Sequence, residues 1–217
     1  MNESQPIHTS SEQKPTLNLG RQIVNFMGPE GSGKTTLAKR IAEVSGKPRL
    51  VYGHVFRELA KNDPGPWGEE AREGFREHRY IKPEILFEII VDRIGQEDMA
   101  DGFILDGAMR TVGEIELFQK MLNQAGRDMP FKNVFLRVPG WLGIKRIQDN
   151  IEERKKDRDD DTPEAILSRL SHFYDSLGRR SSTIRNTQNW ELLIVNGIGT
   201  PDEVYKRVAS RLTSSGK

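Results

Sequence analysis

Cysteine is absent from the 217 residues of this chain, which excludes disulfide bonds and zinc sites built on thiolates. Long apolar runs are lacking too, since no segment approaches the roughly 20 residues that a membrane-spanning helix needs. Neither sign of charge dominates, because 33 Lys and Arg stand against 32 Asp and Glu, a formal net charge of +1. No overall field therefore favours nucleic acid or a membrane surface as a partner.

The N-terminal segment lacks the apolar stretch of a secretory signal. Met1 to Leu19 is polar, with Ser, Gln, Glu and two prolines. We expect residues 1–20 to form a disordered tail, and we expect the protein to be cytoplasmic. Residues 21–217 are enough for one large α/β domain.

The chain does contain a strong glycine-rich motif. The stretch GPEGSGKTT, from Gly28 to Thr36, fits the phosphate-loop pattern G-x-x-x-x-G-K-[ST]. A short apolar run precedes it and apolar residues at helical spacing follow it, so the loop is expected between a strand and a helix. Glycines let successive backbone N–H groups point inward, and the helix N-terminus adds a partial positive charge. Lys34 can then reach the β- and γ-phosphates of a nucleotide, while the Thr35 or Thr36 hydroxyl can contact a phosphate-bound Mg²⁺.

Strand and helix patterns alternate along the rest of the chain. Four further short apolar runs predict strands at 49–53, 102–106, 131–138 and 190–195. This alternation predicts an α/β fold whose parallel sheet is covered by helices on both faces. Two polar segments, 54–80 and 150–161, do not fit such a core. In nucleotide enzymes, polar inserts beyond the strand ends are where moving lids lie.

Three more motifs accompany the phosphate loop. They are YGHVFR from Tyr52 to Arg57, GFILDGAMRT from Gly102 to Thr111, and RDDDTPE from Arg158 to Glu164, followed by Arg169. In order and spacing, the four motifs resemble those of the adenylate kinase family of nucleoside monophosphate kinases, over about residues 23–212. The resemblance implies a P-loop NTPase-type parallel sheet of five strands in the order 2-3-1-4-5, flanked by helices. It also implies a nucleoside-monophosphate-binding insert at 52–82 and a short lid at 148–162 that lacks a zinc-binding insertion.

The resemblance also implies roles for individual residues. The implied ATP-binding residues are Gly28, Glu30, Gly31, Ser32, Gly33, Lys34, Thr35, Thr36 and Arg146. The implied residues for the monophosphate are Tyr52, Gly53, Arg57, Ile81, Gly107, Arg110, Glu114, Arg158 and Arg169. The implied catalytic residues are Lys34, Arg110, Arg158 and Arg169, and the implied Mg²⁺ site is Thr35 with Asp106, the latter through water. Arginine suits these positions because a guanidinium binds phosphate bidentately and stays charged.

Some of these residues also have a plain structural interpretation. Asp106 follows a strand and could instead cap the next helix. Asp160 and Asp161 resemble lid acids that orient arginines, but they could equally belong to a solvated charge run.

The sequence departs from the family pattern at several positions. Tyr52 and His54 stand where the family has threonine and aspartate, and we expect His54 to pack or to hydrogen-bond rather than to act as a base. Met109 replaces a proline, which removes the ready route to a cis peptide bond there. Asn150 stands where the family has a further lid arginine, so that contact is either weaker or supplied by Arg154.

Glu114 is the departure that bears most on the substrate, because the family has at this position a glutamine that pairs with adenine. A glutamine both donates and accepts hydrogen bonds, whereas a carboxylate only accepts. Two interpretations remain open. Glu114 shifts the choice of acceptor, for example toward GMP, or it points to solvent while backbone groups read adenine.

Taken together, the motifs predict an enzyme that transfers the γ-phosphoryl group of Mg-ATP to a nucleoside monophosphate. AMP is the expected acceptor, with GMP, UMP or CMP as alternatives. The expected partners are these nucleotides alone, with no nucleic acid and no membrane, and the expected state is a monomer. The competing hypothesis is a nucleotide-binding regulatory protein that transfers phosphate poorly, and it rests on the departures described above.

Overall fold

The computed structural model describes residues 16–152 and 162–213. The strands are β1 Ile23–Met27, β2 Arg49–Val51, β3 Ile104–Asp106, β4 Phe131–Arg137 and β5 Trp190–Asn196. The described helices are α1 Lys34–Ser45, α2 Tyr52–Asn62, α3 Pro66–Arg76, α4 Pro83–Gly95, α5 Val112–Gln124, α6 Gly140–Asp149, α7 Pro163–Asn186 and α8 Pro201–Thr213.

The five strands form one parallel sheet in the order β2-β3-β1-β4-β5, which confirms the expected topology. β1 lies in the middle and every one of its residues is buried, as befits a parallel strand covered on both faces. Phe26 of β1 pairs with Asp106 of β3, so the carboxyl ends of these strands lie side by side. The loop that leaves β1 therefore starts next to Asp106.

Two apolar layers cover the sheet, and alternate residues of β1 belong to opposite layers. Ile23 and Met27 lie in the larger cluster, which includes buried side chains of α4 and α5. Val24 and Phe26 lie in the second cluster, which includes buried side chains of α1 and α8. The helix that follows the glycine-rich loop is thus fixed against the sheet by its own apolar face.

The N-terminal segment that was expected to be disordered includes residues that pack in the core. Leu17 and Leu19 are buried in the second cluster, and the Leu17 N–H donates to the Val44 carbonyl at 3.0 Å. The prediction that residues 1–20 are disordered is therefore wrong at its C-terminal end, because these two leucines bury enough apolar surface to fix the backbone. Residues 1–15 lie outside the described part of the chain.

Helix α7 begins at a side-chain cap. The Thr162 hydroxyl accepts from the Ala165 N–H at 3.2 Å, Pro163 occupies the first turn and Glu164 adds a first-turn acid. The helix then runs for 24 residues along the larger cluster. No described helix, α7 included, has both the length and the apolar character needed to cross a membrane.

Candidate active site

The glycine-rich motif forms the loop between β1 and α1, as predicted. Gly31 and Gly33 adopt left-handed backbone conformations with φ of 72° and 87°, and α1 starts at Lys34. A side chain at Gly31 would collide with the Gly143 carbonyl, so the loop and the start of α6 touch through backbone. Only glycine permits both the conformation and this close approach.

This contact brings Arg146 of α6 next to the loop. Its guanidinium donates to the Gly197 carbonyl at 3.1 Å and lies 3.5 Å from the Ser32 carbonyl. The space between α6, the loop and the start of α8 is a cavity of about 630 Å³, here called the α6 cavity. It is lined by six of the predicted ATP-binding residues, Gly31, Ser32, Gly33, Thr35, Thr36 and Arg146.

A second cavity of about 180 Å³ lies on the other side of the loop. Its basic lining residues include Lys34, Arg57, Arg79, Arg110, Arg169 and Arg180, and we call it the arginine cavity. Gly28 and Glu30 of the loop line it as well, and Thr35 lines both cavities. The loop thus lies between two spaces, one lined by its own glycine-rich stretch and one whose lining includes five guanidinium groups.

Lys34 and Arg169 are brought together at Glu30. The Lys34 ammonium lies 3.9 Å from a carboxylate oxygen of Glu30, and Nε of Arg169 lies 3.7 Å from the same oxygen. Arg169 is on α7, so this contact joins the long helix to the loop. Two of the four predicted catalytic cations therefore flank one carboxylate at the wall of the arginine cavity.

Two predicted arginines are held by the carbonyls of predicted glycines. Arg57 donates to the Gly53 carbonyl at 3.0 Å, and Nε of Arg110 donates to the Gly107 carbonyl. The Arg110 guanidinium also lies 5.5 Å from the centre of the Tyr80 ring. The two carbonyls and the Tyr80 ring thus hold the Arg57 and Arg110 side chains in the lining of the arginine cavity.

Asp106 and Thr35 are positioned as a cation site would need. Asp106 ends β3, is 2% exposed, and accepts from the Thr35 hydroxyl at 3.1 Å. A hydroxyl and a carboxylate are oxygen ligands of the kind that Mg²⁺ takes, so these residues fit the ion. Arg49, which the sequence interpretation missed, lies 3.5 Å from the other carboxylate oxygen and balances its charge.

Tyr52, Ile81 and Glu114 are placed elsewhere: among the described residues, these three do not line the arginine cavity. Tyr52 is 1% exposed and packs edge-on against Phe56 in the larger cluster, where burial raises the pKa of its hydroxyl. Ile81 is half-buried and packs on the same cluster. His54 is exposed and lines the cavity.

The solvent-facing interpretation of Glu114 is wrong, since the residue is 4% exposed. Its carboxylate oxygens accept from the backbone N–H groups of Met109 and Arg110, each at 2.7 Å. Burial raises the pKa of Glu114, and the hydrogen bonds from the Arg110 and Met109 amides oppose that shift. The carboxylate is therefore engaged with the chain itself and does not line the arginine cavity.

Several predicted residues lie outside the described part of the chain, namely Arg154, Arg158, Asp160 and Asp161. Asn150, at the position of the family's further lid arginine, is described. Its amide donates to the Arg146 carbonyl at 2.9 Å, and the residue lines the α6 cavity.

Sequence reasoning missed Arg79, Arg180 and Glu70. Arg79 pairs with the buried Glu70 through two nitrogens, and the Lys82 amide donates to the same carboxylate at 3.0 Å. Burial alone would raise the pKa of Glu70, but the hydrogen bonds from Arg79 and Lys82 outweigh it and lower that pKa to about 2. Arg180 did leave a signal, because it occupies an apolar position of α7 between the buried residues Phe173 and Ile184.

Comparison with known proteins agrees with this geometry. The family model described as adenylate kinase matches residues 26–179. An adenylate kinase of Xanthomonas campestris pv. campestris is 33% identical over 188 residues, which cover 86% of this chain and 97% of that protein. An adenylate kinase of Mycobacterium leprae is 29% identical over 189 residues, 87% of this chain and 98% of that protein. On the matched family model and these full-length relatives, the chain belongs to the adenylate kinase family of phosphotransferases.

Proposed function

We propose that the protein transfers the γ-phosphoryl group of Mg-ATP to a nucleoside monophosphate, with AMP as the main acceptor. The observation that carries this proposal is the pair of cavities that flank the phosphate loop and share Thr35 as a lining residue. A kinase for two nucleotides needs two sites that open onto one transferring phosphoryl group. An ATPase or a simple nucleotide-binding protein needs only one.

The α6 cavity suits the donor. Its wall at Gly31, Ser32 and Gly33 presents loop backbone at the N-terminus of α1, which favours the phosphates of ATP. Arg146 can neutralise phosphate charge from the α6 side. Thr35 and Asp106 would hold Mg²⁺, which when bound neutralises charge on the donor's phosphates.

The arginine cavity suits the acceptor. In the proposed reaction an oxygen of the acceptor's phosphate attacks the γ-phosphorus, the bond from that phosphorus to the β–γ bridging oxygen breaks, and ADP leaves. Arg57 and Arg110 hold the acceptor phosphate, while Lys34 and Arg169 neutralise the charge on the transferring group. Arg158 is assigned to the same task from the family resemblance.

Other monophosphates are the second candidate, and one observation favours testing them. Glu114, the position at which the acceptor base was expected to be read, and Tyr52, another residue expected to bind the monophosphate, are both buried and do not line the arginine cavity. The choice between AMP, GMP, CMP and UMP then falls to other groups around the cavity.

The test is ADP production from Mg-ATP with AMP, GMP, CMP and UMP offered separately at matched concentrations. The K34M variant serves as the inactive control, and K39M, which changes an exposed lysine of the same helix, is the matched active one. Strong turnover with AMP supports the proposal. Faster turnover with GMP, CMP or UMP would show that this nucleotide, and not AMP, is the main acceptor. Saturable ATP binding without turnover on any monophosphate would contradict the kinase and support a regulatory protein.

A further inference from the structure

The turn that carries Arg110 has an unusual backbone. Gly107 and Met109 both adopt left-handed conformations, with φ of 80° and 58°. Glycine accepts this conformation freely, but for methionine it costs free energy that the surroundings must supply. Met109 is also fully buried in the larger cluster, so the turn cannot relax toward solvent.

Two buried, oppositely charged side chains hold the two polar backbone groups of Met109. Its N–H donates to one carboxylate oxygen of Glu114 at 2.7 Å. Its carbonyl accepts from Nη1 of Arg180 at 2.9 Å. Hydrogen bonds to charged groups are shorter and stronger than neutral ones, and burial strengthens them further.

Arg180 lines the arginine cavity and is held there by two backbone carbonyls and an aromatic ring. It is 2% exposed, its Nη2 donates to the Phe173 carbonyl at 2.8 Å, and its guanidinium lies 4.6 Å from the Phe173 ring centre. Within the described residues no carboxylate lies within ion-pair distance of it. A buried guanidinium without a close counter-ion is costly, which argues for a role that offsets the cost.

The turn leads directly to Arg110. The Arg110 N–H donates to the second carboxylate oxygen of Glu114, also at 2.7 Å. Consecutive amides are therefore bound to one carboxylate, and the carbonyl between them to Arg180. The direction in which the Arg110 side chain leaves the backbone is fixed by these three hydrogen bonds.

We propose that Glu114 and Arg180 are a positioning pair that holds Met109 in its left-handed conformation and so aims Arg110 into the arginine cavity. The inference rests on the proposed function, in which Arg110 binds the acceptor phosphate. It also changes the role of Glu114, which acts on the acceptor's phosphate through Arg110 and does not read its base. Replacing either residue affects all acceptors alike.

The test uses E114Q, R180K and R180M with the matched controls E116Q and R179M, which change exposed neighbours on the same helices. We expect E114Q and R180M to lower kcat/KM for the acceptor by ~10- to 100-fold, since a small misplacement of a catalytic group has effects of that size. R180K keeps a charge that can reach one carbonyl, so it should recover part of the loss. The KM for ATP should stay near the wild-type value in all these variants. The acceptor kcat/KM of both controls should also stay near wild type.

A cycle with R110A separates positioning from plain structural support. If the pair acts through Arg110, E114Q and R180M lower acceptor kcat/KM little or not at all in the R110A background. Full additivity of the losses would overturn the proposal, as would losses within about threefold in the wild-type background. A changed AMP-to-GMP preference in E114Q would overturn it too, in favour of base reading. Melting curves of each variant confirm that the folded protein is measured.

The proposal also has a test that does not need turnover. Calorimetric titration with AMP measures whether the arginine cavity binds a monophosphate. If wild type binds AMP but forms no ADP, the proposed function fails. The positioning pair is still supported in that case if R180M weakens AMP binding in the wild-type background but has no effect on AMP affinity in the R110A background. An AMP affinity that is unchanged in R180M, or absent from wild type, overturns it.

Discussion

The α6 cavity and the arginine cavity share Thr35 as a lining residue, but different kinds of groups form the rest of their walls. On the α6 side the phosphate loop supplies backbone from neighbouring residues, and Gly31 and Gly143 bring the α6 backbone into contact with it. On the other side the wall combines apolar and aromatic residues with long cationic side chains that come from α1, α2, α7 and the loops after α3 and β3.

This difference decides which kind of substitution disrupts each cavity. A wall of backbone depends on close approach, so added volume damages it. A wall of guanidinium groups depends on the partners that hold each side chain, so it is damaged by removing a charge or a partner. The comparison teaches that one short motif can specify the first wall, whereas the second needs the whole fold.

The largest expected effect is on the arginine side. R110A removes a charge-assisted contact to the acceptor phosphate, and we expect kcat/KM for the acceptor to fall on the order of 100-fold. The KM for ATP should change little, because the residue lies on the other side of the loop. Steady-state kinetics with each substrate varied separately measures both quantities. R185A, which truncates an exposed arginine of α7, is the control, and an acceptor kcat/KM within about threefold of wild type would remove Arg110 from the site.

A smaller effect is expected from added volume on the α6 side. G31A would place a methyl group against the Gly143 carbonyl and push α6, with Arg146, away from the loop. We expect the KM for ATP to rise about tenfold, while the affinity for AMP stays close to wild type. G126A is the matched control, because Gly126 has a similar φ of 65° but nothing within 4 Å of the added carbon. Equal ATP constants in the two variants would show that the α6 contact does not shape the donor site.

The smallest effect on turnover, but a clear one on stability, is expected from Glu70. E70Q removes the negative charge of the carboxylate to which Arg79 and the Lys82 amide donate hydrogen bonds. We expect the free energy of unfolding to fall by about 2–3 kcal/mol at pH 7. The value of kcat should change little where the protein is folded, because Arg79 keeps Glu73 and Glu77 as partners and is assigned no contact with the substrate. Urea unfolding measures the difference. The control is E69Q, in which an exposed neighbour loses its charge, and it should lie within about 0.5 kcal/mol of wild type.

The pH dependence of that difference has a definite sign. The pKa of Glu70 is about 2 in the folded protein against the ordinary 4.5, so folding favours the carboxylate. Its contribution is complete above pH 4.5 and is lost as the pH falls from 4.5 toward 2. Wild type and E70Q should therefore converge in stability over this acid range, and a gap that persists at low pH would show that hydrogen bonding without charge explains it.

Parts of the site that depend on adjacent residues were predictable. The phosphate loop, its strand and its helix follow from Gly28 to Thr36 and the flanking periodicity. The start of α7 is equally local, since the cap formed by the Thr162 hydroxyl involves only neighbouring backbone.

Glu114 shows where a local signal was available and was not used. Thr111 and Glu114 have the capping-box spacing, in which the glutamate turns back to backbone amides ahead of the helix. The structure follows that pattern with a shift, because the carboxylate binds the amides of Met109 and Arg110. The spacing predicts that Glu114 turns back, but it does not predict which amides lie within reach.

The succession of strands and helices along the chain, the phosphate loop and the family could all be predicted from the amino-acid pattern, because they follow from periodicity and contiguous motifs. Which of the many arginines face the cavity, that Tyr52 is buried, and that Arg180 binds the Met109 carbonyl became known from the folded chain alone. The physical reason is distance along the chain. A loop or a cap is made by residues a few positions apart, whereas Met109 and Arg180 meet only after the sheet and α7 have packed.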